Sequence, residues 1–207
     1  MLISTSFLSS KNIPKDLEKL NETDTDYIHV DVMDGKFVKN KTMPFSEMKN
    51  IYKYTSKRLD VHLMVKDVKK FIKEYVTLNT EFISFHVETE NVLDNLNLIK
   101  KHGIKSGLAL NPNTEVKELV PYLPLLDIII VMSVEPGLGG QEFISETEEK
   151  IKELRVLLNE YNSQALISVD GGVNNVTKEK CNNADILVSG SYITSNANFQ
   201  ERINSLR

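Results

Sequence analysis

Four histidines occur in this 207-residue chain, and three of them sit inside short apolar, β-branched runs rather than in polar loops. His29 stands two residues before Asp31 in Y-I-H-V-D-V-M. Side chains alternate along a strand, so the two point the same way. His62 lies near the end of the run D-V-H-L-M-V, and Asp170 ends A-L-I-S-V-D. An imidazole or carboxylate buried in an apolar strand needs a partner. Any one of the four reads as well as a satisfied core group or a cap; four at three strand ends point to a site. Converging at one place, they would hold a divalent cation, Zn²⁺ foremost, with Fe²⁺, Co²⁺ or Mn²⁺ as alternatives. His86, in F-H-V-E, also ends a strand, but as outer support or packing it stays outside the ligand set. His102 precedes Gly103 at a predicted helix C-terminus, where the helix dipole accounts for it. Met33 shares the facing of Asp31, Met64 that of His62, and Met132 ends a further strand. Together they would form a deformable apolar wall that excludes water and raises a neighbouring carboxylate's pKa; singly, each also reads as core filler.

A second signal is glycine. Six of the nine glycines fall between Gly137 and Gly190, in E-P-G-L-G-G-Q, D-G-G-V and S-G-S. Glycine allows backbone N–H groups to converge on an anion. Gly171, Gly172, Gly190 and Ser191 fit a phosphate cradle, while Gly137-Leu138-Gly139-Gly140 reads as a flap or as part of the cradle. Lys36, Lys39 and Lys41 read as solvated loop charges.

The elements that would position these groups repeat a simple unit. Eight apolar runs begin at Leu2, Tyr27, Leu59, Phe82, Lys105, Asp127, Ala165 and Asp185. Between them lie helix-period stripes: Val68, Phe71, Ile72, Tyr75 and Val76; Val92, Leu96 and Ile99; Ile151, Leu154, Leu158 and Tyr161. Gly103 closes one helix, Thr114 is a candidate cap for the next, and Thr147 or a neighbour opens the long one. Strand–helix alternation implies parallel strands with right-handed crossovers, and eight units favour a closed (β/α)8 TIM barrel, a single catalytic domain over residues 1–207. An open doubly wound sheet is the rival, but its G-x-G-x-x-G signature after the first strand is absent. In a barrel, chemistry belongs at the C-terminal strand ends, where the polar residues fall, and phosphate commonly lies on the loops after strands seven and eight.

Composition narrows the function. Apolar residues make up 41% and charged residues 26%, so the chain is an ordinary globular one. Its 25 Lys and Arg are outnumbered by 29 Asp and Glu, which argues against a nucleic-acid partner. The lone Cys181 cannot close an intrachain disulfide and fits a reducing compartment. No run is long and apolar enough for a membrane span, and M-L-I-S-T-S-F-L-S-S does not read as a signal peptide, so the expected location is the cytoplasm.

The motifs H-V-D-V-M-D-G-K-F-V, D-V-H-L-M-V, F-H-V-E, L-N-P-N-T, V-M-S-V-E-P-G-L-G-G-Q-E-F, V-D-G-G-V and G-S occur in an order that resembles the ribulose-phosphate 3-epimerase family over nearly the whole chain. The resemblance implies metal-dependent interconversion of D-ribulose 5-phosphate and D-xylulose 5-phosphate, with a small-molecule sugar phosphate as partner. It places one metal ion per subunit on His29, Asp31, His62 and Asp170, and the two acid–base carboxylates on Asp31 and Asp170. It places substrate contacts on Ser6, His62, Asp170, the Gly137–Gly140 loop, Gly171, Gly172, Gly190 and Ser191. Relatives often assemble from several subunits, so it also implies a homo-oligomer. The sequence departs from the family pattern at Thr5, at Ser9-Ser10-Lys11, at Lys39 and at Met43. Three other readings stay open: an allulose 6-phosphate 3-epimerase, with extra room near Met43; a metal-dependent hydrolase using the same ligands; and a barrel that binds sugar phosphate without turnover.

Overall fold

In the computed structural model, which describes all 207 residues, eight parallel strands close into a barrel in sequence order. They are β1 (Leu2–Ser6), β2 (Tyr27–Met33), β3 (Arg58–Met64), β4 (Thr80–His86), β5 (Lys105–Leu110), β6 (Ile128–Met132), β7 (Leu166–Asp170) and β8 (Ile186–Ser189), with β8 pairing back onto β1. The fold is the expected (β/α)8 barrel. Its strands are buried on both faces, which is why they read as near-continuous apolar runs. No helix is long and apolar enough to cross a membrane.

The helices are α1 (Ile13–Asn21), α2 (Phe45–Ile51), α3 (Val68–Tyr75), α4 (Val92–Lys101), α5 (Thr147–Glu160), α6 (Ser191–Thr194) and α7 (Phe199–Asn204). Local chemistry sets their ends. Asn12 caps α1 by accepting from the Lys15 N–H, and Asp67 caps α3 by accepting from the Lys70 N–H. Gly103 takes φ +72° just past α4, a left-handed turn that stops the helix. Two expectations need correction. Tyr161 lies beyond the end of α5 and is 53% exposed, so only Ile151, Leu154 and Leu158 form the buried stripe. Thr114 caps no helix: the β5–β6 connection is 3₁₀ over Val116–Leu125, where Pro121 and Pro124 remove the donors an α-helix needs, and the Thr114 hydroxyl donates instead to Glu88.

The main core lies between strands and helices, where the inner helix faces, including Leu17, Ile72, Leu96 and Leu154, pack on the outward strand residues. Inside the barrel, Phe82, Ile128 and Ile186 close the N-terminal end. The C-terminal end is left to polar side chains. Between these levels, Gly107 of β5 pairs with Ser84 of β4, and a Cβ there would collide with the Ser84 hydroxyl and the Ile128 side chain.

Candidate active site

β2 and β3 pair in register, so that His29 lies beside Asp60, Asp31 beside His62, and Met33 beside Met64. These pairs form three inward rungs leading to the C-terminal mouth. β7 brings Asp170 to the same place. His29 Nε2 lies 3.4 Å from Asp31 Oδ1 and 3.3 Å from Asp170 Oδ2, and His62 Nδ1 lies 3.5 Å and 3.4 Å from the same two oxygens. All four donor atoms fall within 4.8 Å of one another. Both nitrogens are buried and make no hydrogen bond. Tetrahedral ligands about 2.0–2.1 Å from a small dication are separated by roughly 3.3–3.4 Å, the edge of such a tetrahedron. The four nitrogen–oxygen separations lie close to that edge, so the donor set fits a divalent cation in chemistry and in these distances.

The electrostatics point the same way. Burial works against a charged His29, yet the carboxylates of Asp60, Asp31 and Asp170 outweigh it and hold the imidazole pKa well above its ordinary value. Burial likewise opposes protonation of His62, but Asp170 and Asp31 raise it. Burial would raise Asp31 and Asp170; facing His29 and His62, both are lowered instead. The cluster is a pair of carboxylates that demands positive charge, from protons or from a metal.

Surrounding groups hold these side chains in place. His29 Nδ1 donates to Asp60 Oδ2 at 2.8 Å, and Ser4 Oγ donates to the same oxygen at 2.8 Å. Ser6 Oγ donates to Asp31 Oδ2 at 3.0 Å. His62 Nε2 meets His86 Nε2 at 2.9 Å. The His86 pKa is pulled down to about 4 by its burial, with the facing His62 adding to the effect against the pull of Glu88. Burial would raise Glu88, but the facing His86 at 3.3 Å and hydrogen bonds from Thr114 and Asn111 take its carboxyl down to about 2. The sequence pointed to His86 as outer support or packing, but not to Asp60 or Glu88. Asp60 sits two residues before His62 on one strand face, a signal of the same kind that linked His29 to Asp31.

Above the cluster opens a cavity of about 810 Å³. Asp31 and Asp170 reach its floor with side chains only 8% and 14% exposed. His29 and His62 lie beneath and do not line it. Met33, Met64 and Met132 line it together with other apolar residues such as Val134, Val173 and Val188, and Ser6 lines it too. The Gly137–Gly140 loop and Gly171, Gly172, Gly190 and Ser191 also line it. Gly172 has φ +63°, and a Cβ there would come within 2.7 Å of the Phe143 backbone nitrogen, so only glycine fits that turn. Gly190 directly precedes the short α6. No lysine or arginine lines the cavity. Lys36, Lys39 and Lys41 are exposed, as expected. None of Thr5, Lys39 or Met43 lines the cavity; Thr5 is buried against Thr25, and Met43 is 41% exposed.

Comparison with known proteins places this arrangement. A model of the family described as "Ribulose-phosphate 3 epimerase family" matches residues 2–194. A ribulose-phosphate 3-epimerase of Helicobacter pylori strain J99 is 36% identical over 212 aligned residues, covering 100% of this chain and 97% of its own length. One from Escherichia coli strain K12 is 36% identical over 212 aligned residues, covering 100% and 94%. Among solved structures, a 3-hexulose-6-phosphate synthase from Salmonella typhimurium superposes with a TM-score of 0.69 at 16% identity, covering 100% of this chain and 96% of that one, a likeness of fold.

Proposed function

The chain belongs to the ribulose-phosphate 3-epimerase family, and on that premise we propose that it inverts carbon 3 of D-ribulose 5-phosphate to give D-xylulose 5-phosphate by proton transfer between two carboxylates. The observation that carries this reading is the pair Asp31 and Asp170 on the floor of one cavity, flanking two buried imidazoles whose free nitrogens point at them.

The chemical difficulty is taking a proton from a carbon beside a ketone, and inversion requires loss on one face and return on the other. Asp31 and Asp170 are assigned these two tasks, one ionised while the other carries a proton, exchanging roles with the direction of reaction. His29, Asp31, His62 and Asp170 would hold a divalent cation, zinc the first choice, and its chemistry there would be positive charge against the negative charge that develops on oxygen as the proton leaves. Ser6 orients Asp31 through the bond to its Oδ2. Met33, Met64 and Met132 keep water from the carbanion face. Gly171, Gly172, Gly190 and Ser191, which line the cavity, would offer backbone N–H groups to the phosphate, and the Gly137–Gly140 loop would border the substrate.

The hexulose alternative required extra room near Met43, and Met43 does not line the cavity. Hydrolysis would leave the second carboxylate without a task. Incubation with ribulose 5-phosphate in heavy water, followed by NMR of carbon 3, tests the reading. The expected result is xylulose 5-phosphate carrying deuterium at carbon 3. Release of phosphate, or no exchange at that carbon, would overturn it. Comparing kcat/KM on the pentose and hexulose phosphates separates the two sugars, and the pentose should be preferred.

A further inference from the structure

The two histidines of the cluster are supported differently. His29 turns its second nitrogen directly to a carboxylate, Asp60. His62 turns its second nitrogen to another imidazole, His86 Nε2, at 2.9 Å. His86 Nδ1 in turn is buried, has no other partner, and faces Glu88 Oε2 at 3.3 Å, close enough for an ion pair but not aligned as a hydrogen bond. Glu88 is anchored at its other oxygen, where Oε1 accepts from the Asn111 N–H at 3.0 Å and from the Thr114 hydroxyl. The Asn111–Thr114 loop is clasped from α5 by Lys150, whose Nζ donates to the carbonyls of Asn111 at 3.0 Å and Thr114 at 2.8 Å. The Phe37 ring covers His86 with centroids 4.7 Å apart.

We infer that Glu88, acting through His86, is a positioning residue that fixes His62 in the one tautomer able to donate its Nδ1 lone pair into the Asp31–Asp170 cluster. The inference rests on reading that cluster as a metal site. For Nδ1 to be a ligand, the ring proton must sit on Nε2. That N–H needs an acceptor, and the group in reach is His86 Nε2. His86 can accept there only if its own proton is on Nδ1, which faces Glu88. An ionised carboxylate only accepts. A charge at the outer end therefore orders both rings, and a single assignment satisfies the whole chain. The opposite tautomer would put a proton on His62 Nδ1, between the two carboxylates, and remove the lone pair. The motifs F-H-V-E and L-N-P-N-T, which take no part in the chemistry, acquire a purpose: the first carries the relay, and the second anchors its end.

The test uses the full chain stripped of metal, with Co²⁺ loading followed by visible absorption and the Zn²⁺ dissociation constant measured by competition with a chelator. His86→Phe removes the acceptor and should weaken Zn²⁺ binding by about 10- to 100-fold and change the Co²⁺ spectrum. Glu88→Gln keeps the shape but not the charge and should weaken binding less, in the same direction. His86→Asn, which restores an acceptor, should recover part of the loss. A merely structural role would lower the melting temperature of the metal-free variants and leave metal affinity and spectrum unchanged; that result would overturn the inference. Should His86→Phe fail to fold, Glu88→Gln at the partly exposed rim decides alone. Wild-type protein that takes up neither Co²⁺ nor Zn²⁺ would overturn the metal reading and this inference with it, whereas tight wild-type binding with unaltered variants would overturn the inference only.

Discussion

Replacing Asp170 by Asn offers the sharpest test of the two-carboxylate scheme. The change keeps shape and volume and removes one proton acceptor. Asp170 Oδ2 sits 3.3 Å from His29 Nε2 and 3.4 Å from His62 Nδ1, and Asp31 faces the same nitrogens at 3.4 Å and 3.5 Å. One carboxylate therefore remains to balance the imidazoles, and no apolar packing is lost, so the barrel should stay folded. Loss of a positioned acid–base group should lower turnover roughly 10²- to 10⁴-fold, which is about 3 to 5 kcal/mol of barrier. The pattern of exchange says more than the rate. With a base on one face only, the epimer whose carbon 3 proton faces Asp31 should still exchange with heavy water without being epimerised, while the other epimer should not exchange. Asp31→Asn should reverse the preference. NMR of each purified epimer, incubated with metal-loaded variant, reads both. Near-normal turnover would refute the reasoning, and so would equal exchange of both epimers. Loss of exchange from both epimers with the metal still bound would show that Asp31 takes no proton by itself, and would overturn the assignment of one carboxylate to each face.

Removal of the metal by a strong chelator should abolish turnover, with recovery on adding Zn²⁺; full activity in a sample shown by elemental analysis to be metal-free would remove the cation from the scheme. Burial, with Glu148 adding, pushes the Cys181 thiol up from about 9 to about 12, so the native protein should resist a thiol reagent in mildly alkaline buffer and react fully once unfolded. Because that shift favours the neutral thiol in the folded state, its contribution to stability is whole below about 9 and is lost as pH rises toward about 12; rapid modification of the native chain would contradict this. Gly107→Ala forces a methyl into the Ser84 hydroxyl and the Ile128 side chain and should cost roughly 1–3 kcal/mol in urea unfolding, the usual toll of overpacking; an unchanged midpoint would show that the barrel interior can give way there.

Much of this molecule is legible in the chain because of how its sheet is buried. Strands covered on both faces are apolar throughout, so a polar side chain inside one, such as His29 or Asp170, stands out against its run. Counting eight such runs reveals the number of strands; that β8 returns to pair with β1 depends on tilt and stagger, which no local pattern encodes. The segment Val116–Leu125 was hard to read because its prolines lie on an apolar spacing that also suits a helix. Asp60 is hard to distinguish because a carboxylate near the start of a strand resembles an ordinary boundary residue, although its spacing from His62 makes it inward-facing. The His62–His86–Glu88 chain was hidden for a different reason. It runs across strands and out to a loop, so it exists only once β3, β4 and β5 are side by side.

The absence of lysine and arginine from the cavity wall bears on how the chemistry can work. A sugar phosphate carries a dianion, and a basic side chain would be the obvious way to hold it. Yet in this reading Asp31 and Asp170 share the same enclosed space, and each must pass between charged and neutral forms. A lysine roughly 8 Å from either, at an effective dielectric of about 20, would favour the ionised carboxylate by about 2 kcal/mol. That is roughly 1.5 pKa units, enough to hinder whichever aspartate must return a proton. Backbone N–H groups around Gly171, Gly172 and Gly190 bring partial charges that fall off faster with distance, so they would bind an anion without adding to the bias that a cation on the pair already imposes. In the proposed scheme the glycines would serve the carboxylates as well as the phosphate. Placing a lysine at Ser191 should tighten phosphate binding while lowering kcat, and a variant that gained affinity with no loss in kcat would show that the two ends of the cavity are electrostatically independent.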